Sequence, residues 1–274
     1  MRFCVLASGS KGNCLVVQAD RTSVLVDAGL SARETVERLQ QAGFDPGDVK
    51  HLIITHEHRD HVAGLGPVAR RLSAAVHANE ATGKAWGQVG PLPAWQPFVT
   101  GRRFQVGSLT VQAFQIPHDA AEPVGLIFEH DGQRLALATD LGYLHLLVRE
   151  KIQGCRAVIV EANHDPSLLR HGPYPEFLKQ RVAGRMGHLA NDQAAELLGH
   201  AAHQGLTDVV LAHLSETNNR PELAWQCARG RLDGLGLGRV RLSVAPQDRI
   251  GTVVDLASAR LYQLPRPPGF GKII

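Results

Sequence analysis

Apolar residues fall in short, largely β-branched runs. Arg2 to Ala7, Cys14 to Ala19 and Thr22 to Val26 are such runs, each bounded by Gly, Ser, Asn or Asp. They predict three strands, the first two joined across Ser8-Gly9-Ser10-Lys11-Gly12-Asn13 by a plain hairpin turn. Ser31 to Gln41 changes to helical spacing. Ser31 and Glu34 form a capping-box pattern, and Gly43 supplies the stop. Leu52-Ile53-Ile54-Thr55 reads as a buried strand. It runs into a polar cluster, His56 to His61, then a helix to about Leu72 and a short strand over Ala74 to His77. Gly87 to Pro97, rich in Pro and Gly, predicts an irregular loop.

The strand pattern returns from Phe104. Leu109 to Ile116 is followed by a hairpin, Val124 to His130 and Gln133 to Ala138, across Asp131-Gly132. Ala157 to Glu161, Thr207 to Ala212 and Val240 to Val244 are further strands. Helical spacing covers Pro175–Val182, Asn191–Gln204 and Glu222–Leu232. Strands and helices thus alternate in two successive sets, a mixed α/β chain. No linker divides it, so residues 1–264 predict one domain and Pro265 to Ile274 a Pro/Gly-rich tail.

Composition adds little to this picture. The 274 residues are 44% hydrophobic and 20% charged, ordinary for a globular protein. The formal charge of +3 is compatible with a polyanionic substrate. Cys4, Cys14, Cys155 and Cys227 form no CxxC pair, which favours free thiols in a reducing compartment. No run approaches the ~20 apolar residues of a membrane span. The expectation is a cytoplasmic protein without a membrane partner.

The chemistry concentrates in His56-Glu57-His58-Arg59-Asp60-His61. Three imidazoles and an aspartate on one short loop are costly to bury without partners. They suit a transition metal, with N and O donors leaving Zn, Mn and Fe all open. Three more candidates, His118, Asp140 and His213, stand where apolar strands give out.

HxHxDH after an apolar strand resembles the signature of the metallo-β-lactamase fold hydrolases. The resemblance implies an αββα sandwich with two divalent metal ions per chain. It implies that His56, His58 and His118 hold the first ion and Asp60, His61 and His213 the second, with Asp140 bridging. Asp27, ending the third strand, resembles that family's supporting Asp, which orients a ligand ring. Two such ions acidify a shared water, so hydroxide attacks the electrophile. Asp60 would orient that nucleophile as well as bind metal.

Fold alone does not choose the electrophile. The segment from Glu161 to Asn219 does more. It carries Glu161-Ala162-Asn163-His164-Asp165, Arg185-Met186-Gly187-His188-Leu189-Ala190-Asn191 and His213-Leu214-Ser215-Glu216-Thr217-Asn218-Asn219. These motifs are similar to the YycJ/WalJ-like branch, associated with 5′→3′ exonuclease action on double-stranded DNA, and more distantly to ribonuclease Z. The resemblance implies that His188 is a general acid supported by Glu161, acting on a nucleic acid, DNA before RNA. Asn163, His164, Arg185 and Asn191 become candidate substrate contacts. Ala190 departs from the branch, which carries Ser there. Arg170, Lys179, Arg181 and Arg185 suggest a phosphate track. The alternatives are a small-molecule hydrolase, either glyoxalase II-like thioesterase or cyclic phosphodiesterase, and a metal-stabilised nucleic-acid-binding protein.

Overall fold

In the computed structural model, which describes residues 1–257, alternation along the strands sorts the apolar residues into three layers. The strands are β1 Arg2–Ala7, β2 Cys14–Ala19, β3 Thr22–Val26, β4 Val49–Ile53, β5 Ala75–Ala78, β6 Ala94–Pro97, β7 Arg103–Val106, β8 Leu109–Gln115, β9 Val124–His130, β10 Gln133–Ala138, β11 Ala157–Glu161, β12 Asp208–Ala212, β13 Arg241–Val244 and β14 Val254–Asp255. The helices are α1 Ala32–Gln41, α2 Arg59–Val62, α3 Leu65–Leu72, α4 Glu80–Ala85, α5 Leu146–Ile152, α6 Pro166–His171, α7 Glu176–Ala183, α8 Asn191–Ala201 and α9 Pro221–Gly234.

Two seven-stranded sheets result, ordered β14-β1-β2-β3-β4-β5-β6 and β13-β12-β11-β10-β9-β8-β7. Val5, Val17, Val24 and Ile53 of the first sheet meet Val111, Leu126, Phe128 and Ile159 of the second. The residues between them point outward. Leu6, Val16, Leu25 and Leu52 pack under Leu39 of α1 and Val68 of α3. Ile127, Ala136, Val158 and Val160 pack under α5, α8 and α9 through Val148, Leu197 and Leu232. This is the αββα sandwich, and the period of two in each strand builds it.

Most expected elements form, with three informative differences. The strand expected at Leu52 to Thr55 is β4, ending at Ile53, because the Thr55 N–H and hydroxyl both turn to Asp27. The loop expected over Gly87 to Pro97 ends in a strand, β6, parallel to β5. All four β6 residues are exposed, so no alternation marks it. The short helices α4, α5 and α6 have no counterpart in the periodicity; Asn79, His145 and Asp165 cap them. The tail expected at Pro265 to Ile274 lies outside the described residues. The four cysteines are free thiols, and no described helix is long and apolar enough to cross a membrane.

Candidate metal centre

The polar cluster lies where strand ends of both sheets meet. The first sheet brings Asp27 from the end of β3, His56 and His58 from the turn after β4, and Asp60 and His61 from α2 that follows it. The second brings His118 after β8, Asp140 after β10, Glu161 closing β11 and His213 after β12. Asp27, Asp140 and His213 adopt left-handed backbone, with φ of 61°, 60° and 57°. Such turns are uncommon for non-glycine residues, and Asp and His are among those that tolerate them. Each turn swings a side chain off the strand axis into the shared space. Gly29 lets the loops close, since a Cβ there would fall on the Asp60 carbonyl.

The donors group as the family resemblance implies. Ligand atoms of His56, His58 and His118 lie within 4.8 Å of one another, as do those of Asp60, His61 and His213. Asp140 stands between, within the same limit of His56 and His61 and, separately, of Glu161, His188 and His213. Each ring has one nitrogen committed elsewhere. His56 Nδ1 is 3.0 Å from the Thr55 hydroxyl. His58 Nε2 donates to the Asp119 carbonyl at 3.1 Å, and His118 Nδ1 to the Gly187 carbonyl at 3.2 Å. His61 Nδ1 donates to Asp27 at 2.9 Å, and His213 Nδ1 to Glu161 at 2.9 Å. In its neutral form each ring would then keep a lone pair on the remaining nitrogen. Asp27, itself held by the Thr55 N–H and hydroxyl, fixes the His61 ring.

Two observations test the fit to cations. His56 Nε2 and Asp140 Oδ2 are buried and have no hydrogen-bond partner, which is costly unless something else satisfies them. The electrostatics agree. Burial pushes His56 and His118 down, so both stay neutral and able to ligate. Burial opposes charge on His61 too, but Asp27 and Asp140 overcome it and lift the ring to about 10. Burial likewise opposes ionisation of Asp60 and Asp140; hydrogen bonds from His213 and His61 dominate at Asp60, and the charge of the same rings at Asp140, and both carboxyls are lowered. A field that stabilises positive charge on these rings also favours a divalent cation.

His188 stands beside this group. Its Nδ1 donates to Glu161 Oε1 at 2.8 Å, the oxygen that also receives His213. Glu161 Oε2 accepts the N–H groups of Leu141 and Leu189. Burial works against the Glu161 carboxylate, but His188 and His213 hold it ionised, at about 2. In return Glu161 raises His188 against the effect of burial. The His188 side chain keeps 22% of its surface exposed.

Asn13 was not anticipated. Its Nδ2 donates to Asp60 Oδ2 at 2.9 Å and lies 3.0 Å from His61 Nε2, while its Oδ1 accepts the Gly9 N–H. The neighbouring Ser8 hydroxyl accepts the His213 N–H at 2.7 Å. The turn between β1 and β2 is thus a wall of the centre as well as a hairpin.

Three of the expected substrate contacts are buried. Asn163 is buried and donates to the His213 carbonyl, holding that turn. Asn191 exchanges two amide hydrogen bonds with Asn219 in the interior. His164 is 3% exposed and lies outside the donor groups, bridged to Ala190. A buried amide needs a buried partner, and the chain supplies it. Arg185 is exposed and remains available. Of the other cations, Arg181 pairs with Asp119 at 2.7 Å, whereas Lys179 turns away to the Arg170 carbonyl. At Ala190 the missing hydroxyl is partly replaced: Gln193 accepts the Ala190 N–H and Asp192 the Gln193 N–H.

A sandwich of this order with His and Asp donors at one seam defines a class of metallohydrolase, and the sequence profile of the beta-lactamase superfamily domain matches residues 22–213. The chain belongs to that superfamily. Within it, the chain is 39% identical to exodeoxyribonuclease YycJ of Bacillus anthracis over 241 residues, 87% of this chain and 91% of that one. It is 34% identical to exodeoxyribonuclease WalJ of Streptococcus pneumoniae over 242 residues, 86% and 90% of the two. Its fold is that of the metallo-β-lactamase fold protein YhfI of Bacillus subtilis, with a TM-score of 0.69 at 13% identity over 91% of this chain and 98% of the other.

Proposed function

We propose that the protein is a metal-dependent nuclease that hydrolyses phosphodiester bonds of DNA from the 5′ end of a duplex. The names of the YycJ and WalJ relatives support the nuclease and the choice of DNA. The observation that carries the chemistry is the His188–Glu161 pair beside the two donor trios.

His56, His58 and His118 would hold one divalent cation, Asp60, His61 and His213 a second, and Asp140 would contact both. Zn, Mn and Fe all suit these donors. Bound there, the pair would lower the pKa of a water and offset charge gathering on the phosphoryl oxygens. The residues do the rest. Asn13 turns Asp60 Oδ2 toward His61 and His213, so the carboxylate is held at one side of the centre. Asp60 orients the attacking water. His188 has Nδ1 bound to Glu161, which directs Nε2 toward the leaving group. Glu161 keeps the ring protonated, and His188 delivers that proton to the departing alkoxide. A thioester, whose leaving group is far less basic, has less need of this proton, which favours phosphodiester over thioester.

The test is cleavage of end-labelled duplex DNA by purified protein with Mn or Zn. Release of 5′-terminal nucleotides is the expected result. Turnover of a small thioester with no cleavage of duplex under either metal would falsify the assignment.

A further inference from the structure

Arg185 and Tyr143 both lie three residues from the centre, one before His188 and the other after Asp140. The Arg185 guanidinium sits over the Tyr143 ring, 4.6 Å from its centroid. His145 meets the same ring at 5.7 Å and 75°, bracing it edge-on. Among the described residues Arg185 makes no hydrogen bond or ion pair, although carboxylates hold several other surface arginines. Arg185 is thus an exposed guanidinium that sits over an aromatic ring and has no carboxylate partner among the described residues.

The backbone beneath is tied to the centre. The Gly142 N–H donates to the Pro117 carbonyl at 2.8 Å, next to His118. A Cβ at Gly142 would fall on the Arg185 carbonyl, so the two loops are in direct backbone contact. The Gly187 carbonyl is fixed by His118. Next in the chain, Met186 is 49% exposed, an apolar neighbour to the plane. The platform is therefore held by the same loops that carry Asp140, His118 and His188.

Resting on the nuclease reading above, we propose that the Arg185–Tyr143 pair is a stacking site for the nucleobase that flanks the scissile phosphate. A base has a π face that a guanidinium plane accepts whatever the sequence, while the charge attracts the adjacent backbone. Three residues of chain span at most about 10 Å of backbone, so both side chains are anchored close to the centre. Arg185 here contacts substrate through its plane as much as its charge, which Lys does not reproduce.

The test uses metal-loaded protein and a duplex with 2-aminopurine as the 5′-terminal base and phosphorothioate linkages to slow cleavage. Stacking quenches this base, so wild type should quench on binding. Arg185→Ala should lose the quench and bind roughly 10- to 100-fold more weakly, the span of one base stack. Arg185→Lys should lose the quench as well, because charge survives but the plane does not. An abasic 5′ end should weaken wild type to the level of Arg185→Ala and leave that variant unaffected. Melting temperature and metal content of each variant control for folding. Cleavage of duplex without quenching, or quenching retained in Arg185→Lys, overturns the stacking site and leaves the nuclease reading standing. Absence of both cleavage and duplex binding removes the nuclease reading, and this one with it.

Discussion

His188 and Asp140 share a seam but are asked for different things. His188 binds Glu161 and keeps an exposed edge, whereas Asp140 is buried among four histidines. His188→Ala should therefore keep its metal content and lose about 10²- to 10⁴-fold in phosphodiester hydrolysis, the usual span for a proton donor. Asp140→Ala should lose bound metal along with activity. Metal analysis beside rate measurement separates the two; a His188→Ala protein at full rate on a poor leaving group would remove its assigned role. The donors are legible because the HxHxDH spacing is dense and the later ones, Asp140 among them, stand at strand ends, whereas His188 is reached only through the family resemblance. Asn13 was not legible. Its role arises only when a turn folds against a loop 47 positions away, and its sequence context is that of any Gly-rich hairpin. Asn163 and Asn191 show the converse: the sequence does not reveal that their amides have partners inside the fold, the His213 carbonyl and Asn219.

At the scale of elements, β4 and β5 carry a second histidine pair away from the centre. Parallel register sets Ile53 opposite His77 and brings His51 Nδ1 within 3.1 Å of His77 Nε2. The His77 ring also stacks on Phe104 at 6.1 Å. Burial, and then the neighbouring His51, push His77 down to about 4. The unfolded chain takes up this proton near 6.5, before the folded one does. Stability is thus complete above 6.5 and falls as pH drops toward 4, by at most roughly 3 kcal/mol from this group. Urea midpoints measured between pH 7 and 4 should decline in wild type and flatten in His77→Phe. An equal decline in both would show that other groups drive it. The strands themselves were readable from alternation. β6 was not, since an edge strand with both faces in water has no apolar phase to detect. Helices α4 to α6 were equally silent, being too short for a period to emerge.

For the whole molecule, the centre works as a clasp between sheets. Asp27, His56, His58, Asp60 and His61 come from the first, and His118, Asp140, Glu161 and His213 from the second. A cation bound by both sets holds the native state alone, so saturating Mn or Zn at ~100 times its dissociation constant should add about 2.7 kcal/mol. Melting with and without a chelator measures this, and His58→Ala should shrink the difference; equal melting temperatures in all cases would show that cations do not bridge the sheets. The division has another use. β6 and β7 are the outer strands of the two sheets, joined by the exposed turn around Val99 and Gly101. A chain cut at that turn yields two fragments, each with part of the donor set and neither able to hydrolyse anything. Activity from the mixed fragments would then be a signal of reunion, and the enzyme its own two-part reporter.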